Sequence, residues 1–537
     1  MKIHKEPEAV WKEYQRGVDY NVAIDLFQTV EENENFVIGR QWEGVNAPDL
    51  QKPVLNILKR ATAYHVSTIC SDDVGTELVP FTENEAMGQQ MRAVSREIER
   101  VMEQDGTKSK FRKCVRDAAV DGDGCLYFYF DAEAKTGQAA EGEIRSEVIE
   151  NINVIFGNPY EQSVQKQPYI ILAQRRPVSE VRDEAQGDED QIVPDSDSNQ
   201  GEKGDGSELC TVLIKLWKEK DGVHAIKCVK EAVVRKEWKL GTDLYPVAWL
   251  RMEAVRKSYH GEAIITGLIQ NQITINKLFA MYARSVEMNA FPKIVYDKTK
   301  FGKRGWSNRV GEAIGINGDV SQAAVNVMRG GDVSAQVMEV IQSCITLTRD
   351  CMGATDAALG NVRAEQAAAS AIIATQQASE APLEIQRRLF FDFVEDCVRI
   401  ILDLMCAYYG TRDLKNEKNG IGPMTGAQTT ETVMQAVDFN TLKEQVQFVD
   451  VRVGSSAYWS ELMQMQTMDN LLNSGIIQDA ALYLESIPDK WLPNKQKLID
   501  SVRQMQEQQM GMAQPMAGPA AGTTPVPTAE QYDQMLA

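Results

Sequence analysis

The aspartates of Asp121-Gly-Asp-Gly124 are the first residues whose type and spacing could do chemistry. This pattern begins many calcium-binding loops, which also need an oxygen ligand at the fifth position and a carboxylate at the twelfth. Here the fifth position is Cys125 and the twelfth is Ala132. The sequence therefore predicts a turn between a helix and a strand at this point, rather than a calcium site.

Other catalytic, metal and cofactor patterns are also missing from the sequence. The four histidines do not form an HxxxH or HExxH pair, so we expect packing or surface roles for them: His4, His65, His224 and His260. Neither a GxxxxGK[ST] phosphate loop nor a GxSxG nucleophile turn occurs. The nine cysteines include no CxxC pair, which favours reduced thiols over a disulfide framework. We therefore predict no catalytic residues, no metal site and no cofactor.

Charge is distributed unevenly along the 537 residues, whose formal net charge is −20. Residues 183–208 hold ten acids against Lys203, and we expect them to form a solvated loop. Residues 291–331 hold seven bases against three acids and many glycines. Sequence-specific DNA binding is not expected of so acidic a chain. The basic segment is either a solvated turn region or a docking tip for an acidic partner or nucleic acid.

A helical hairpin is predicted around that basic segment. Apolar residues at helical spacing predict one helix over Glu262–Met288 and a second over Val333–Met352. The polar side of the first helix is predicted to face water. It contains Gln270, Asn271, Gln272, Asn276, Lys277 and Arg284. A loop of small residues, Gly353–Gly360, follows the second helix. One such stalk buries too little apolar surface to be stable alone, so the pattern favours a ring of stalks.

The rest of the chain predicts an α+β fold that is mainly helical. The predicted helices are 7–38, 56–71, 85–104, 108–120, and 364–409 with a kink or new start at Pro382. The predicted strands are 125–130, 143–151, 154–156, a meander over 209–239, 246–253, and two strands around a helical turn in 433–453. The sequence contains neither a run of about 18 apolar residues nor a signal peptide, so we expect no membrane association.

In these features the chain resembles the portal proteins of tailed double-stranded DNA bacteriophages, in particular the large portals of short-tailed phages. The order of the parts carries the resemblance, over about residues 10 to 505: a stem helix, Phe291-Pro-Lys293, a glycine-rich tip, a second helix and a small-residue loop. Further segments that fit are Asn153–Tyr160, Ala367–Ile373, Val437–Val453 and Leu471–Gly475. The Pro- and Gly-containing end departs from family members that end in a long helical barrel.

The resemblance implies a ring, usually of twelve subunits, and a division of each subunit into named regions. These are a wing (1–260), stem helix 1 (261–289), a clip (290–332), stem helix 2 (333–352), a tunnel loop (353–366), a long helix returning to the wing (367–453), crown helices (454–505) and a mobile C-terminal tail (506–537).

The resemblance also implies a function without enzymatic activity. Such a ring sits at one capsid vertex of the virion, after assembly in the host cytoplasm, and double-stranded DNA passes through it without sequence specificity. The implied partners are further copies of the chain, the terminase large subunit, head-completion or adaptor proteins, tail proteins, and the major capsid and scaffolding proteins. Two other classes stay open: another ring-forming virion or scaffold component, and a cytosolic enzyme whose site is dispersed in the sequence.

The residues expected to do this work fall into two groups. Those expected at the DNA channel and tunnel loop are Lys277, Arg284, Gly353, Ala354, Thr355, Asp356 and Gly360. Those expected to dock the motor or an adaptor at the clip are Lys293, Lys298, Lys300, Lys303, Arg304 and Arg309. Small residues allow close approach of the loop to DNA, and sparse positive charge avoids tight phosphate contacts that would slow passage.

Overall fold

The computed structural model describes residues 3–48, 50–71, 74–81, 85–135, 141–195, 208–290, 293–296, 299, 325–328, 335–353, 383–421, 428–443, 445–453 and 499. The chain divides into two compact units, Met1–Gly454 and Ser455–Ala537. All elements given below belong to the first unit. The predicted crown helices and C-terminal tail lie outside the described residues, apart from Ile499.

More of the described residues lie in helices than in strands. The prediction of a mixed fold of helices and strands that is mainly helical is therefore confirmed. The α-helices are α1 (Pro7–Ala23), α2 (Leu26–Ile38), α3 (Ile57–Ile69), α4 (Glu85–Gln104), α5 (Thr107–Asp121), α6 (Val178–Glu184), α7 (Ile269–Ala290), α8 (Ala335–Cys351), α9 (Glu384–Tyr408) and α10 (Phe439–Leu442). None of these helices is long and apolar enough to span a membrane.

The strands form small antiparallel sheets. They are β1 (Val74–Pro80), β2 (Asp123–Asp131), β3 (Glu143–Ile149), β4 (Val154–Phe156), β5 (Tyr169–Pro177), β6 (Leu209–Glu219), β7 (Gly222–Cys228), β8 (Val233–Lys239), β9 (Val247–Arg251), β10 (Glu253–Ala254), β11 (Gly261–Glu262), β12 (Lys293–Tyr296), β13 (Val325–Met328), β14 (Thr411–Ile421), β15 (Gln428–Asp438) and β16 (Val446–Val453).

Two stacked sheets form the centre of the body. One has five strands in the order β4-β5-β6-β7-β8, and the other has three in the order β3-β2-β9. Their facing side chains, including Leu216 and Trp249, form one apolar core. Helix α1 covers the outer face of the larger sheet, and helices α4, α5 and α9 pack against the smaller one. The layers therefore run helix, sheet, sheet, helices.

Strand β2 shows why an aromatic run becomes the central strand. Successive side chains of a strand point to opposite faces. Leu126 and Phe128 enter the core shared with α5 and α9. Cys125 and Tyr127 enter the core between the two sheets. The strand is apolar on both faces because both faces are covered, and its prediction from the sequence is confirmed.

A buried ion pair holds α1 on the larger sheet. The Nζ atom of Lys215 on β6 lies 2.5 Å from Oε2 of Glu13 on α1, and it also donates to the carbonyl oxygen of His4 at 2.7 Å. The Lys215 side chain is fully buried, and that of Glu13 is 2% exposed. Burial lowers the pKa of Lys215, and the Glu13 carboxylate opposes this shift. The charged pair therefore fixes the position of the N-terminal helix.

The single helix predicted over 7–38 is two helices in the structure. Asp25 has a φ of 56°, in the left-handed region, and the chain changes direction there. The break lets Tyr14 pack under the larger sheet while Phe36 packs beside α3 in another cluster. One straight helix could not reach both cores, so tertiary packing overrides the continuous helical pattern.

The acidic segment, which was predicted to be a solvated loop, is attached to the sheet at two of its described residues. Residues up to Glu184 belong to α6, and Glu184 binds Nζ of Lys227 at 2.6 Å. Both carboxylate oxygens of Asp195 accept from the Thr211 amide, and Arg175 also binds this carboxylate. The segment is therefore anchored at Glu184 and Asp195, while most of the described residues between these two are exposed. Residues 196–207 lie outside the described residues.

Several other predictions are confirmed, and some strands were missed. The meander is β6–β8, and the two strands with a helical turn between them are β15, α10 and β16. Helix α9 begins just after Pro382, as the proline rule predicts. The sequence analysis did not predict β1, β5 or β14. Strand β1 pairs with β16, more than 360 residues along the chain, and local pattern cannot reveal such a pairing.

Candidate functional site

A helical stalk rises from the body. Helix α7 leads away, and the chain returns along α8, which packs against α7. Between them β12 and β13 pair antiparallel, with Lys293 opposite Met328. We call α7, β12, β13 and α8 the stalk. At 1.5 Å per residue, the 22 residues of α7 span roughly 33 Å. The predicted helical hairpin is therefore present, and a β-ribbon, which was not predicted, lies beyond its helices.

The first stalk helix starts later than predicted. Residues 261–268 form β11 and a 3₁₀ turn, and α7 begins only at Ile269. Ile265 is fully buried against α3 and α5, and the Gly261 amide donates to Oδ1 of Asp123 at 2.7 Å. These body contacts hold the segment in place. Apolar spacing continues unbroken through this region of the sequence. It therefore did not show that residues 261–268 pack in the body rather than in the stalk.

Two amides on α7 lock the stalk to the body. Gln272 is fully buried, and Asn276 is 2% exposed. Gln272 donates to the carbonyl of Leu55 at 2.6 Å and accepts from the Ile57 amide at 3.1 Å. Asn276 donates to Oε1 of Gln41 at 2.6 Å. The prediction that these amides face water is wrong, because they bind the backbone of Leu55 and Ile57 and the side chain of Gln41. These contacts fix the rotation of α7.

The end of α8 is held by a buried histidine. Nε2 of His65 on α3 lies 2.5 Å from the carbonyl oxygen of Met352, just beyond the last residue of α8. The last carbonyls of a helix have no partner within it, so this contact satisfies one of them. Gly353 follows with a φ of 66°, a conformation that glycine adopts at low cost. His65 therefore fixes the point where the predicted tunnel loop begins.

Acid should weaken this contact. Burial lowers the pKa of His65, and its Nδ1 atom has no hydrogen-bond partner among the described residues. A histidine with a lowered folded-state pKa favours folding above its unfolded value of about 6.5, and this contribution is lost as the pH falls below that value. We expect the melting temperature of the wild type to fall more than that of His65→Gln between about pH 6.5 and pH 5. His4→Gln, a change at an exposed histidine, should behave as wild type; parallel curves for all three would contradict the prediction.

The residues predicted for the channel are only partly described. Lys277 is exposed, and no described acid lies within ion-pair distance of it. Arg284 lies two turns further along the same face of α7, where its Nη1 atom is 3.3 Å from Oε2 of Glu287. The exposed Met281 lies between them. The members outside the described residues are Ala354, Thr355, Asp356 and Gly360.

The predicted clip cluster is not brought together by the described residues. Lys293 lies on β12 at the base of the ribbon. The other members all lie outside the described residues, so their docking role stays a prediction: Lys298, Lys300, Lys303, Arg304 and Arg309.

A buried aspartate–histidine pair lies at the junction of stalk and body. Oδ2 of Asp123, from the predicted turn, lies 2.7 Å from Nδ1 of His260, and Nε2 of His260 lies 3.2 Å from Oδ1 of Asn21. Burial raises the pKa of Asp123, and His260 opposes this shift. Asn21 occupies the place that a nucleophile would need, and His260 is 3% exposed. This geometry indicates a structural role in the core, as expected for the histidine. The sequence did not show that Asp123 and His260 are partners, because 137 residues separate them.

A second cluster, on the turn between β6 and β7, resembles a cation site. Ligand atoms of Glu219, Asp221 and His224 lie within 4.8 Å of one another. Each already has a partner within the protein. Trp217 donates to Glu219 at 2.9 Å, and Lys239 lies 3.3 Å from Asp221. A metal ion would have to displace these contacts, so the cluster does not support a metal centre.

Comparison of the chain with models of known protein families gives no match, and comparison with curated protein sequences gives none either.

Proposed function

We propose that this chain is a portal protein: it assembles into a ring whose stalks line a channel for double-stranded DNA at one capsid vertex. The observation that carries the proposal is the stalk itself, two packed helices rooted in a layered body. An enzyme cleft would converge on reactive side chains, whereas the stalk is built from helices with exposed apolar positions.

Exposed apolar side chains along the stalk support assembly with further copies. On α7, Met281 is 62% exposed and Met288 is 47% exposed. On α8, Val340 is 49% and Leu347 is 62% exposed, and these two lie seven residues apart on one face. Large apolar residues repeated along two helices mark an interaction surface. In a ring, α7 of one subunit can cover α8 of the next.

The attachment of both stalk helices to the body suits a rigid channel wall around moving DNA. Gln272 and Asn276 hold α7, and His65 holds the end of α8, so the proposed lumen wall is fixed at the body. The chain after Gly353 would then reach toward the DNA. An acidic chain with isolated exposed bases such as Lys277 would let the phosphate backbone slide.

Electron microscopy and sedimentation of the purified chain test the proposal. We expect closed rings with a central hole; twelve chains of 60.0 kDa have a mass of about 720 kDa. A protein that stays monomeric at micromolar concentration in moderate salt would contradict it and favour the dispersed-site enzyme.

A ring alone does not separate a portal from another virion component. Binding of the terminase large subunit to preformed rings, and labelling of one vertex per capsid, are the distinguishing measurements. Rings that occupy many vertices, or that fail to bind the motor at low salt, would favour a different structural role.

A further inference from the structure

Each of the two stalk helices carries an exposed stripe with the spacing of a coiled coil. Residues spaced alternately three and four apart lie along one face of a helix. On α7 the exposed residues at this spacing are Gln270, Thr274, Lys277, Met281, Arg284 and Met288. On α8 they are Gln336, Val340, Ser343, Leu347 and Asp350. We call these two sets the α7 stripe and the α8 stripe. Every member of both is exposed, so nothing in the described part of the chain covers them.

The buried residues of the same helices lie on other faces. On α7, Gln272, Asn276 and Ala280 are buried, and on α8, Ile341 and Thr348 are buried. These inner faces serve the packing of α7 on α8 and the attachment to the body. The two stripes are therefore left on the outside of the stalk, available to another molecule.

The two stripes are oppositely charged. The α7 stripe contains the bases Lys277 and Arg284 and no acid, whereas the α8 stripe contains Asp350 and no base. The exposed Glu339 lies beside Val340 at the edge of the α8 stripe. Among the described residues, no base lies within ion-pair distance of either acid. A surface that is basic and apolar therefore finds its complement on the acidic and apolar stripe of a second copy of this chain.

The stripes also match in position along the stalk. Ile269, where α7 begins, and Met352, just after α8, lie in one apolar cluster at the body. Met281 lies twelve residues beyond Ile269, and Val340 lies twelve residues before Met352. At 1.5 Å per residue, both are roughly 18 Å along the stalk. When two stalks stand side by side around one rotation axis, positions at equal distance from the body come together.

The same count places a base beside an acid. Arg284 and Glu339 lie roughly 22 Å and 20 Å along the stalk. Nη1 of Arg284 lies 3.3 Å from Oε2 of Glu287, and a guanidinium has five N–H donors, so others remain for a second carboxylate. Lys277 is level with the small Ser343, so its long side chain can keep the ammonium group in solvent.

We infer that the α7 stripe of one copy packs against the α8 stripe of the next as an antiparallel helix pair, with Met281 on Val340 and Arg284 bound to Glu339. The pair is antiparallel because α7 leads away from the body and α8 returns to it. Because the two surfaces differ, each copy keeps one of each for a further neighbour, as closure of a ring requires. The inference rests on the proposed ring, and it turns Arg284 from the channel toward the neighbouring stalk.

Exchange of the two charges tests the ion pair. Arg284→Glu and Glu339→Arg each place like charges together, so each should raise the protein concentration needed for ring assembly at least about tenfold in sedimentation at low salt. Arg284→Glu combined with Glu339→Arg restores opposite charges and should recover most of the loss. Asn271→Glu changes an exposed α7 residue outside the stripe and should assemble as the wild type does.

Cross-linking tests the register of the contact. Cys344→Ser and Cys351→Ser first remove the thiols of α8. In that background, a short bismaleimide should join Met281→Cys of one copy to Val340→Cys of the next and give a ladder of many chains. A contact between two identical surfaces would stop at pairs. Val286→Cys with Val340→Cys is the control, and it should give no ladder because Val286 lies on another face of α7.

The outcomes separate this contact from the proposed ring. Rescue by the double charge exchange, together with the ladder, supports the contact. Normal rings from both single charge variants, or rings in which positions 281 and 340 do not cross-link, overturn the contact and leave the ring standing. A wild type that stays monomeric overturns both.

Discussion

Leu347→Glu should give a folded subunit that no longer forms rings. Leu347 is 62% exposed in the single chain, so glutamate at this position costs the isolated subunit little. In a ring the same position would be covered by the next stalk, and an unpaired carboxylate buried there costs several kcal/mol. Because each 1.4 kcal/mol is a factor of ten, affinity at each interface should fall at least about 100-fold. Sedimentation and negative-stain imaging measure the loss.

Val193→Glu is the matched control for this change. Val193 is also a large exposed apolar residue, at 52%, but it lies in the acidic segment away from the stalk. It should leave rings intact, and both variants should keep the circular dichroism of the wild type. Normal rings from Leu347→Glu would show that α8 is not a subunit interface and would remove the main support for the stalk ring.

Glu13→Gln should strongly destabilise the body. It leaves the fully buried ammonium of Lys215 without its carboxylate. Breaking a buried ion pair from one side typically costs about 3–5 kcal/mol, because the remaining charge is uncompensated. We expect the midpoint of urea denaturation to fall accordingly, and α1 to be the first element to become sensitive to protease.

Two further variants separate the charge effect from simple loss of a contact. Glu237→Gln removes an exposed pair with Lys5, whose N–O distance is 2.8 Å, and it should cost no more than about 1 kcal/mol. Glu13→Leu combined with Lys215→Met removes both buried charges and should recover most of the lost stability. If Glu13→Gln is no more destabilising than Glu237→Gln, the buried pair does not hold α1 as described.

Local sequence pattern determined the elements whose period is strong. Apolar spacing of 3.6 residues gave the position of α8 to within two residues, and the aromatic run at Cys125–Phe130 gave β2. Proline marked the start of α9, and the Asp121–Gly124 turn lies where the sequence put it. These features depend on neighbours a few residues away, so the sequence is sufficient for them.

Only the tertiary structure decided which side chains became partners. In the sequence, Gln272 and Asn276 look like part of the solvent-facing side of an amphipathic helix. They are buried because residues 41 and 55–57, more than 200 positions earlier, supply hydrogen-bond donors and acceptors for them. The contact of His65 with Met352 likewise depends on how distant segments pack. The sequence by itself therefore determined a stalk on an α+β body. The rotation of that stalk and its attachment depend on long-range hydrogen bonds, which have no local periodicity.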